Sequence, residues 1–317
     1  MNLVNSRLIL IFLVPLVFLS ACVNKDKSGI DQVSFFTELV NHNGLPITVE
    51  IEKKLDEQQS EFQKIEVYQT KTFGKMMVLD GVVQLTEWDT FGYFEMIAHV
   101  PLIAHPNPRK VLIVGGGDCG TLGAVLQHDC VDEVVMCEID GVVIEKAKKY
   151  FPELAKATRD PRVSVILQDA LKYIKTKKNY FDVIIVDSSD PFVSGDATIA
   201  EGLFNEDFYK DVNAALTNDG IVSSQAEPMF FYGDLIESLY KQNKKLFTHV
   251  RYYYTLVPTY PTGSIGFLFS SKKYNPFEKI EKNRIEKLQG LKYYNEEIHR
   301  ASFCLPQYMK ERLAKVN

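Results

Sequence analysis

The chain has 317 residues, of which 46% are hydrophobic, 24% charged and 12% aromatic. That composition supplies a sizeable core and excludes a disordered, collagen-like or low-complexity chain. A net charge of −5 argues against a nucleic-acid backbone as partner and permits a cationic one, and five cysteines are too few for a disulfide scaffold.

In chain order, the first segment stands apart. Met1 to Arg7 is a short polar start with one positive charge. Leu8 to Leu19 is almost wholly apolar but, at twelve residues, too short to cross a bilayer comfortably. With small residues behind it, this reads as a secretory signal. Leu19-Ser20-Ala21-Cys22 resembles the bacterial lipobox, whose Cys is acylated and becomes the mature N-terminus. The expected division is a lipoprotein signal peptide over 1–21, a polar tether over 22–32, a small β-domain over 33–87 and a larger α/β domain over 88–317. A lipid anchor at Cys22 implies a membrane-held bacterial lipoprotein facing the periplasm or cell surface. An unprocessed N-terminus implies a cytoplasmic protein instead.

Residues 33–85 are rich in short β patterns: Ile47 to Glu52, Phe62 to Gln69 and Lys75 to Leu79. Turns at Phe73-Gly74-Lys75 and Leu79-Asp80-Gly81 make these a small antiparallel sheet. Glu87 to Ala104 has helical spacing of Phe91, Phe94, Ile97, Ala98 and Leu102, and His105-Pro106-Asn107-Pro108 ends it. Beyond Pro108 the apolar runs Lys110–Val114, Glu133–Cys137, Arg162–Leu167, Asp182–Val186, Gly220–Ser224, His249–Tyr254 and Ile265–Ser270 predict strands. Helices are expected through Gln127, over Asp140–Tyr150, and near 205–216 and 233–246. The alternation predicts an α/β fold with a doubly wound, mostly parallel sheet. Ligands of such sheets bind outside the carboxyl ends of the strands. There Asp118, Glu138, Asp169 and Asp187 stand, one acid after each of four strands.

The loop Gly115-Gly116-Gly117-Asp118-Cys119-Gly120 lets a backbone approach a ligand closely and open a helix. Glu138 ends the second strand, where an acid accepts hydrogen bonds from ribose hydroxyls. Together they point to a nucleoside-type co-substrate, where the loop alone fits a tight turn. Asp118 would repel a phosphate or carboxylate and attract an ammonium, so the co-substrate should carry a cationic tail. In Asp187-Ser188-Ser189-Asp190-Pro191 two acids flank two serines outside any nucleophile elbow. The pair suits a diamine, or deprotonation of an amine whose ordinary pKa is near 10, as well as a plain polar turn. Taken singly, Tyr93, Glu227 and Tyr260 read as packing residues. The six histidines and Cys119, Cys130 and Cys137 lack zinc-ligand spacing, so no metal is expected.

These residues resemble the spermidine synthase (polyamine aminopropyltransferase) family. The matching text runs through Ser60-Glu61-Phe62-Gln63-Lys64-Ile65, Leu79-Asp80-Gly81-Val82-Val83-Gln84, Tyr93-Phe94-Glu95-Met96-Ile97 and His105-Pro106-Asn107-Pro108-Arg109-Lys110. It continues through the glycine loop, Cys137-Glu138-Ile139-Asp140, Asp187-Ser188-Ser189-Asp190-Pro191, the run from Pro258 to Phe267, and Tyr293-Tyr294-Asn295 with His299. The resemblance implies a Rossmann-like, class-I-methyltransferase-type domain and an N-terminal β-domain in a homodimer or homotetramer. It implies transfer of the aminopropyl group of decarboxylated S-adenosylmethionine to putrescine, giving spermidine and 5′-methylthioadenosine, with no permanently bound cofactor. Gln63, Gly115, Gly117, Asp118, Glu138, Asp169 and Ala170 would then hold the nucleoside co-substrate. Asp187 would take the amine proton with help from Tyr93, and Asp190, Tyr260, Glu227 and Gln84 would hold the diamine. Cys119, Phe94, Trp88 and the lengthened loop after Pro191 depart from the family pattern. Two other readings use the same residues: an N-methyltransferase acting on a polyamine, and a non-catalytic polyamine-binding lipoprotein.

Overall fold

The computed structural model describes residues 33–39, 46–193, 196, 197, 200–278 and 280–316. The expected signal peptide, tether and acylated Cys22 lie outside them.

The chain first builds a five-stranded antiparallel sheet from β1 (Ser34–Leu39), β2 (Pro46–Gln59), β3 (Lys64–Thr70), β4 (Lys75–Leu79) and β5 (Val82–Thr86), paired in that order. Val49, Tyr68, Met76, Val78 and Val83 form its core. The sequence pattern pointed to part of β2, most of β3 and all of β4. β1 hides because its alternation is inverted: Phe35 is exposed while Glu38 is buried. β5 pairs with β4, so helix α1 (Thr90–Ala104) begins three residues after the expected Glu87. Nearly every residue of α1 is buried, as befits a helix packed on all sides.

The larger unit is a seven-stranded sheet. Its strands are β6 (Lys110–Gly115), β7 (Glu133–Glu138), β8 (Val163–Leu167), β9 (Phe181–Asp187), β12 (Leu216–Gln225), β13 (His249–Leu256) and β14 (Ser264–Ser271), with a short hairpin of β10 (Phe192–Val193) and β11 (Asp196–Ala197) on the way. The order is β13-β14-β12-β9-β6-β7-β8. β12, β9, β6, β7 and β8 are parallel, and β14 runs against both its neighbours, so the sheet is mixed. Alternate residues feed two cores. Val111, Ile113, Val183 and Ile185 pack on the side of α1, and Leu112, Val114, Ile184 and Val186 on the side of α6 (Glu206–Ala215) and α7 (Gly233–Lys244). Apolar residues on both faces are what a strand covered on both sides requires.

Two carboxylates join the sheets. Asp89 accepts from Thr86 Oγ1 (2.7 Å) and from the Thr259 amide (2.8 Å). Asp56 pairs with Lys146 (3.0 Å) and Lys149 (3.0 Å) and accepts from Tyr150 (2.7 Å).

Candidate active site

A cavity of about 1430 Å³ opens between the small sheet and the carboxyl ends of β6, β7, β8, β9 and β12. Every site residue expected within the described chain lines it: Gln63, Gln84, Tyr93, Gly115, Gly117, Asp118, Glu138, Asp169, Ala170, Asp187, Asp190, Glu227 and Tyr260. Strand order sets their sequence along the sheet edge. Glu227 follows β12, Asp187 and Asp190 come at β9, Asp118 follows β6, Glu138 ends β7 and Asp169 follows β8.

The glycine loop is glycine for steric reasons. Gly115 has φ +80°, and a Cβ there would meet the Asp187 carbonyl at 2.2 Å. A Cβ on Gly117 would stand 2.9 Å from Glu138 Oε2. The loop therefore packs directly on two of the acids. Cys119 adopts φ +70° without being glycine. Its side chain is fully buried, and that packing offsets a left-handed penalty of about 1 kcal/mol. At Gly120 a Cβ would fall within 2.1 Å of the Phe94 ring, so Phe94 fills the space beside α2 (Gly120–Leu126) and presents an apolar wall to the cavity.

Asp187 is held from both sides. Its Oδ1 accepts from the Tyr93 hydroxyl (2.7 Å) and its Oδ2 from Thr121 Oγ1 (2.6 Å). Asp118 accepts from the Gly120 amide (2.7 Å). Glu138 Oε1 accepts from the Asp140 amide (2.9 Å). Asp140 in turn accepts from Ser60 (2.7 Å) and Gln63 (3.0 Å) and caps α3 (Gly141–Tyr150). Asp169 caps α5 (Ala170–Lys175), which follows the single-turn α4 (Pro152–Ala155). At the other end Gln225 Nε2 lies 3.2 Å from Asp190 and 2.9 Å from Glu227. Glu227 stands at φ +62°, a strained conformation held by the Tyr252 hydroxyl on its carbonyl (2.7 Å). Tyr260 donates to the Gln84 carbonyl, and its ring packs edge-on against Tyr93.

So many buried acids unsettle one another. Burial, then the charge of Asp187, pushes Asp118 up to about 8. Burial raises Asp187 and Asp190, and carries Glu138 to about 7. Burial and the neighbouring Asp190 hold Glu227 well above the usual carboxylate range, and burial with Asp187 does the same for the Tyr93 phenol. A cavity walled by carboxyl groups that cannot all ionise alone is built to receive positive charge.

The sequence reading missed Thr121, the second partner of Asp187. A Thr one residue past a glycine loop carries no distinctive signal. It also missed Glu38, a buried acid on an inverted edge strand.

Two family models match: a spermine/spermidine synthase domain over residues 90–281 and a spermidine synthase tetramerisation domain over 34–87. The chain belongs to the spermine/spermidine synthase family. Among relatives, a polyamine aminopropyltransferase of Leptospira biflexa serovar Patoc is 44% identical over 280 residues, spanning 88% of this chain and 97% of that one. A spermidine synthase of Dictyostelium discoideum is 42% identical over 270 residues, 85% of this chain and 93% of that one. A spermidine synthase solved in complex with the transition state analogue AdoDATO superposes with a TM-score of 0.85 at 36% identity, covering 94% of this chain and 99% of that one. The Thermotoga maritima spermidine synthase gives 0.81 at 37% identity, with 89% and 95% covered. Family membership explains structural text as well. Glu95 of the Tyr-Phe-Glu-Met run accepts from the amides of Lys292, Tyr293 and Tyr294 (2.9, 2.9 and 2.7 Å). Tyr294 bonds His299 (2.7 Å). These motifs fasten the C-terminal segment to α1.

Proposed function

We propose that this member of the spermine/spermidine synthase family is an aminopropyltransferase, moving the aminopropyl group of decarboxylated S-adenosylmethionine to putrescine. The observation that carries the reading is Asp118 inside the glycine loop, a half-buried acid whose proton affinity is raised by burial and by the charges of Asp187 and the nucleoside-side acid Glu138. An amino-acid carboxylate on the donor would meet that acid with like charge, whereas the ammonium of the decarboxylated donor neutralises it. The donor's nucleoside would extend over β6–β8, against Glu138, Asp169 and Ala170. The amine would lie over β9–β12, between Asp187 and the Asp190–Glu227 pair.

The chemistry asks little of the protein. The neutral amine attacks the carbon bound to the sulfonium, the C–S bond breaks, and its electron pair stays on sulfur as the neutral thioether 5′-methylthioadenosine. The proton leaving nitrogen goes to Asp187, which Tyr93 and Thr121 hold in place. Catalysis then consists of alignment and proton removal. The donor is a co-substrate consumed at each turnover, and the match to a tetramerisation domain supports assembly as a homo-oligomer.

Incubation of residues 23–317 with putrescine and each donor, with products weighed by mass spectrometry, tests the reading. Spermidine from the decarboxylated donor alone supports it. N-methylputrescine from S-adenosylmethionine, or binding without turnover, overturns it.

The lipobox-like Leu19-Ser20-Ala21-Cys22 supports a further proposal, that Cys22 is acylated and tethers the enzyme to a membrane. Metabolic labelling with an alkyne fatty acid should mark the full chain and not its Cys22→Ser variant. Equal labelling of both would reject it.

A further inference from the structure

Both carboxylate oxygens of Asp187 are held by side-chain hydroxyls, and the two holders stand in different places. Tyr93 of α1 donates to Oδ1 at 2.7 Å and lines the cavity. Thr121 donates to Oδ2 at 2.6 Å from the first turn of α2, fully buried and outside the cavity lining. The glycine loop flanks the same oxygen, since a Cβ on Gly116 would stand 3.2 Å from Oδ2. The Asp187 carbonyl is fixed as well, accepting from the Gly116 amide at 2.9 Å. Oδ2 is therefore turned into the protein, and Oδ1 is the oxygen on the cavity side.

The residue type at 121 carries its own information. Valine would fill nearly the same space with no polar atom to bury, and a buried hydroxyl is destabilising unless it is bonded. A Thr early in a helix commonly bonds backbone close to itself in sequence. This one reaches across 66 residues to the end of β9. The last torsion of an aspartate is broad, so its own rotamer preference does not fix the carboxylate plane. Each oxygen of an ionised carboxylate has two lone pairs. On Oδ2 Thr121 takes one and the loop backbone stands beside the oxygen. On Oδ1 Tyr93 takes one, and the other is open to a ligand in the cavity.

We propose that Thr121 is a positioning residue for proton transfer: by holding Oδ2 against α2 it fixes the carboxylate plane, so that the attacking amine meets Oδ1 and delivers its proton there. The inference rests on the reading of Asp187 as the proton acceptor of an aminopropyltransferase. The N–H bond breaks as the N–C bond forms, the proton bonds to Oδ1, and Asp187 becomes neutral with Thr121 still donating to Oδ2, now the carbonyl oxygen. A donor to the ionised carboxylate also favours that form. The other groups facing Asp187 are Asp118 of the glycine loop, Tyr93 of α1 and Tyr260 of the turn before β14, with Asp190 three residues along its own segment. Burial raises Asp187, and the hydroxyl bonds from Thr121 and Tyr93 oppose it.

The test compares Thr121→Val, which keeps the shape and removes the donor, with Thr121→Ser, which keeps the donor and removes the methyl. In kcat–pH profiles Thr121→Val should lower the alkaline plateau about tenfold and move the acid limb up by about one pH unit, as expected for losing a hydrogen bond to a charged group. KM for both substrates should stay within about twofold, since neither touches Thr121. Thr121→Ser should recover most of both losses. If the valine variant fails to fold, Thr121→Ala against Thr121→Ser isolates the hydroxyl instead. An unchanged profile in Thr121→Val overturns the proposal. So does a serine variant as impaired as the valine one, which would leave only the packing of the methyl. Carbon-13 NMR of aspartate-labelled protein, with the Asp187 Cγ signal identified by its loss in Asp187→Asn, reads the carboxylate without turnover. A titration midpoint raised by about one pH unit in Thr121→Val upholds Thr121 as the anchor of Asp187 even if no spermidine forms. Spermidine formed with an unmoved midpoint overturns Thr121 and leaves the activity standing.

Discussion

At the scale of residues, the cavity is lined by a row of acids that burial raises above the usual carboxylate range. Asp187 has both oxygens fixed by Tyr93 and Thr121, so replacing it by Asn preserves the shape and removes the proposed proton acceptor. Asp187→Asn should lower kcat by about 10²- to 10⁴-fold, the range for losing a general base. The affinity for 5′-methylthioadenosine, measured by calorimetry, should change little, and a variant retaining most of its activity at neutral pH would exclude Asp187 as the base. Asp118 gives a pH prediction. In the empty site it holds its proton up to about pH 8. In the proposed complex the donor's ammonium binds the ionised form, so below that pH binding must expel a proton and affinity falls about tenfold per pH unit. Donor Kd should therefore tighten from pH 6 to pH 8, and this steepness should vanish in Asp118→Asn. 5′-Methylthioadenosine, which lacks the aminopropyl group, supplies the control slope from Glu138.

At the scale of elements, α1 and the turn that follows α2 meet through a buried histidine pair. His99 Nδ1 and His128 Nε2 lie 3.0 Å apart, one donating and the other accepting. Burial lowers His99 to about 3 and, aided by His99 and Arg284, takes His128 well below its ordinary value. Both are neutral in the fold, whereas the unfolded chain protonates them near pH 6.5. Their contribution is complete above that pH and is lost as pH falls through the interval toward the folded values. Each costs about 2 kcal/mol by pH 5, at about 1.4 kcal/mol per unit. The melting temperature should drop between pH 7 and pH 5, and His99→Leu should flatten that decline. An unchanged slope in the variant would assign acid lability elsewhere. The same elements show what the sequence made legible. Strands β6, β7 and β9 read clearly because they are buried on both faces and end at a glycine loop or an acid. The reversed direction of β14 did not, since an apolar run looks alike in either direction. β1 was illegible for a sharper reason. It turns Phe35 outward and Glu38 inward, contrary to the solvation rule that makes strands readable, and the acid it buries faces the cavity. The acids after the strands were found because a carboxyl group at a sheet's ligand-binding edge needs explaining. Thr121 was not, because a hydroxyl in the first turn of a helix needs no explanation.

At the scale of the whole molecule, one cavity joins the proposed nucleoside and amine regions, each held by its own set of hydrogen bonds. On the nucleoside side Asp140 links Ser60 and Gln63 of the small sheet to Glu138 and to the first turn of α3. On the amine side Glu227 is tied to Gln225 and Tyr252. Groups this separate should contribute additively. Asp140→Ala removes two side-chain bonds and a helix cap, so it should raise KM for the donor about tenfold and cost about 1 kcal/mol of stability. Glu227→Gln should raise KM for putrescine by a similar factor and leave the donor KM in place. In the double variant the losses in kcat/KM should multiply, each assigned to its own substrate. A double variant no worse than the poorer single one would mean that the small sheet moves as a body. Donor and amine would then both depend on one closure of the cavity, and Asp140 would act by positioning that sheet rather than by orienting Gln63.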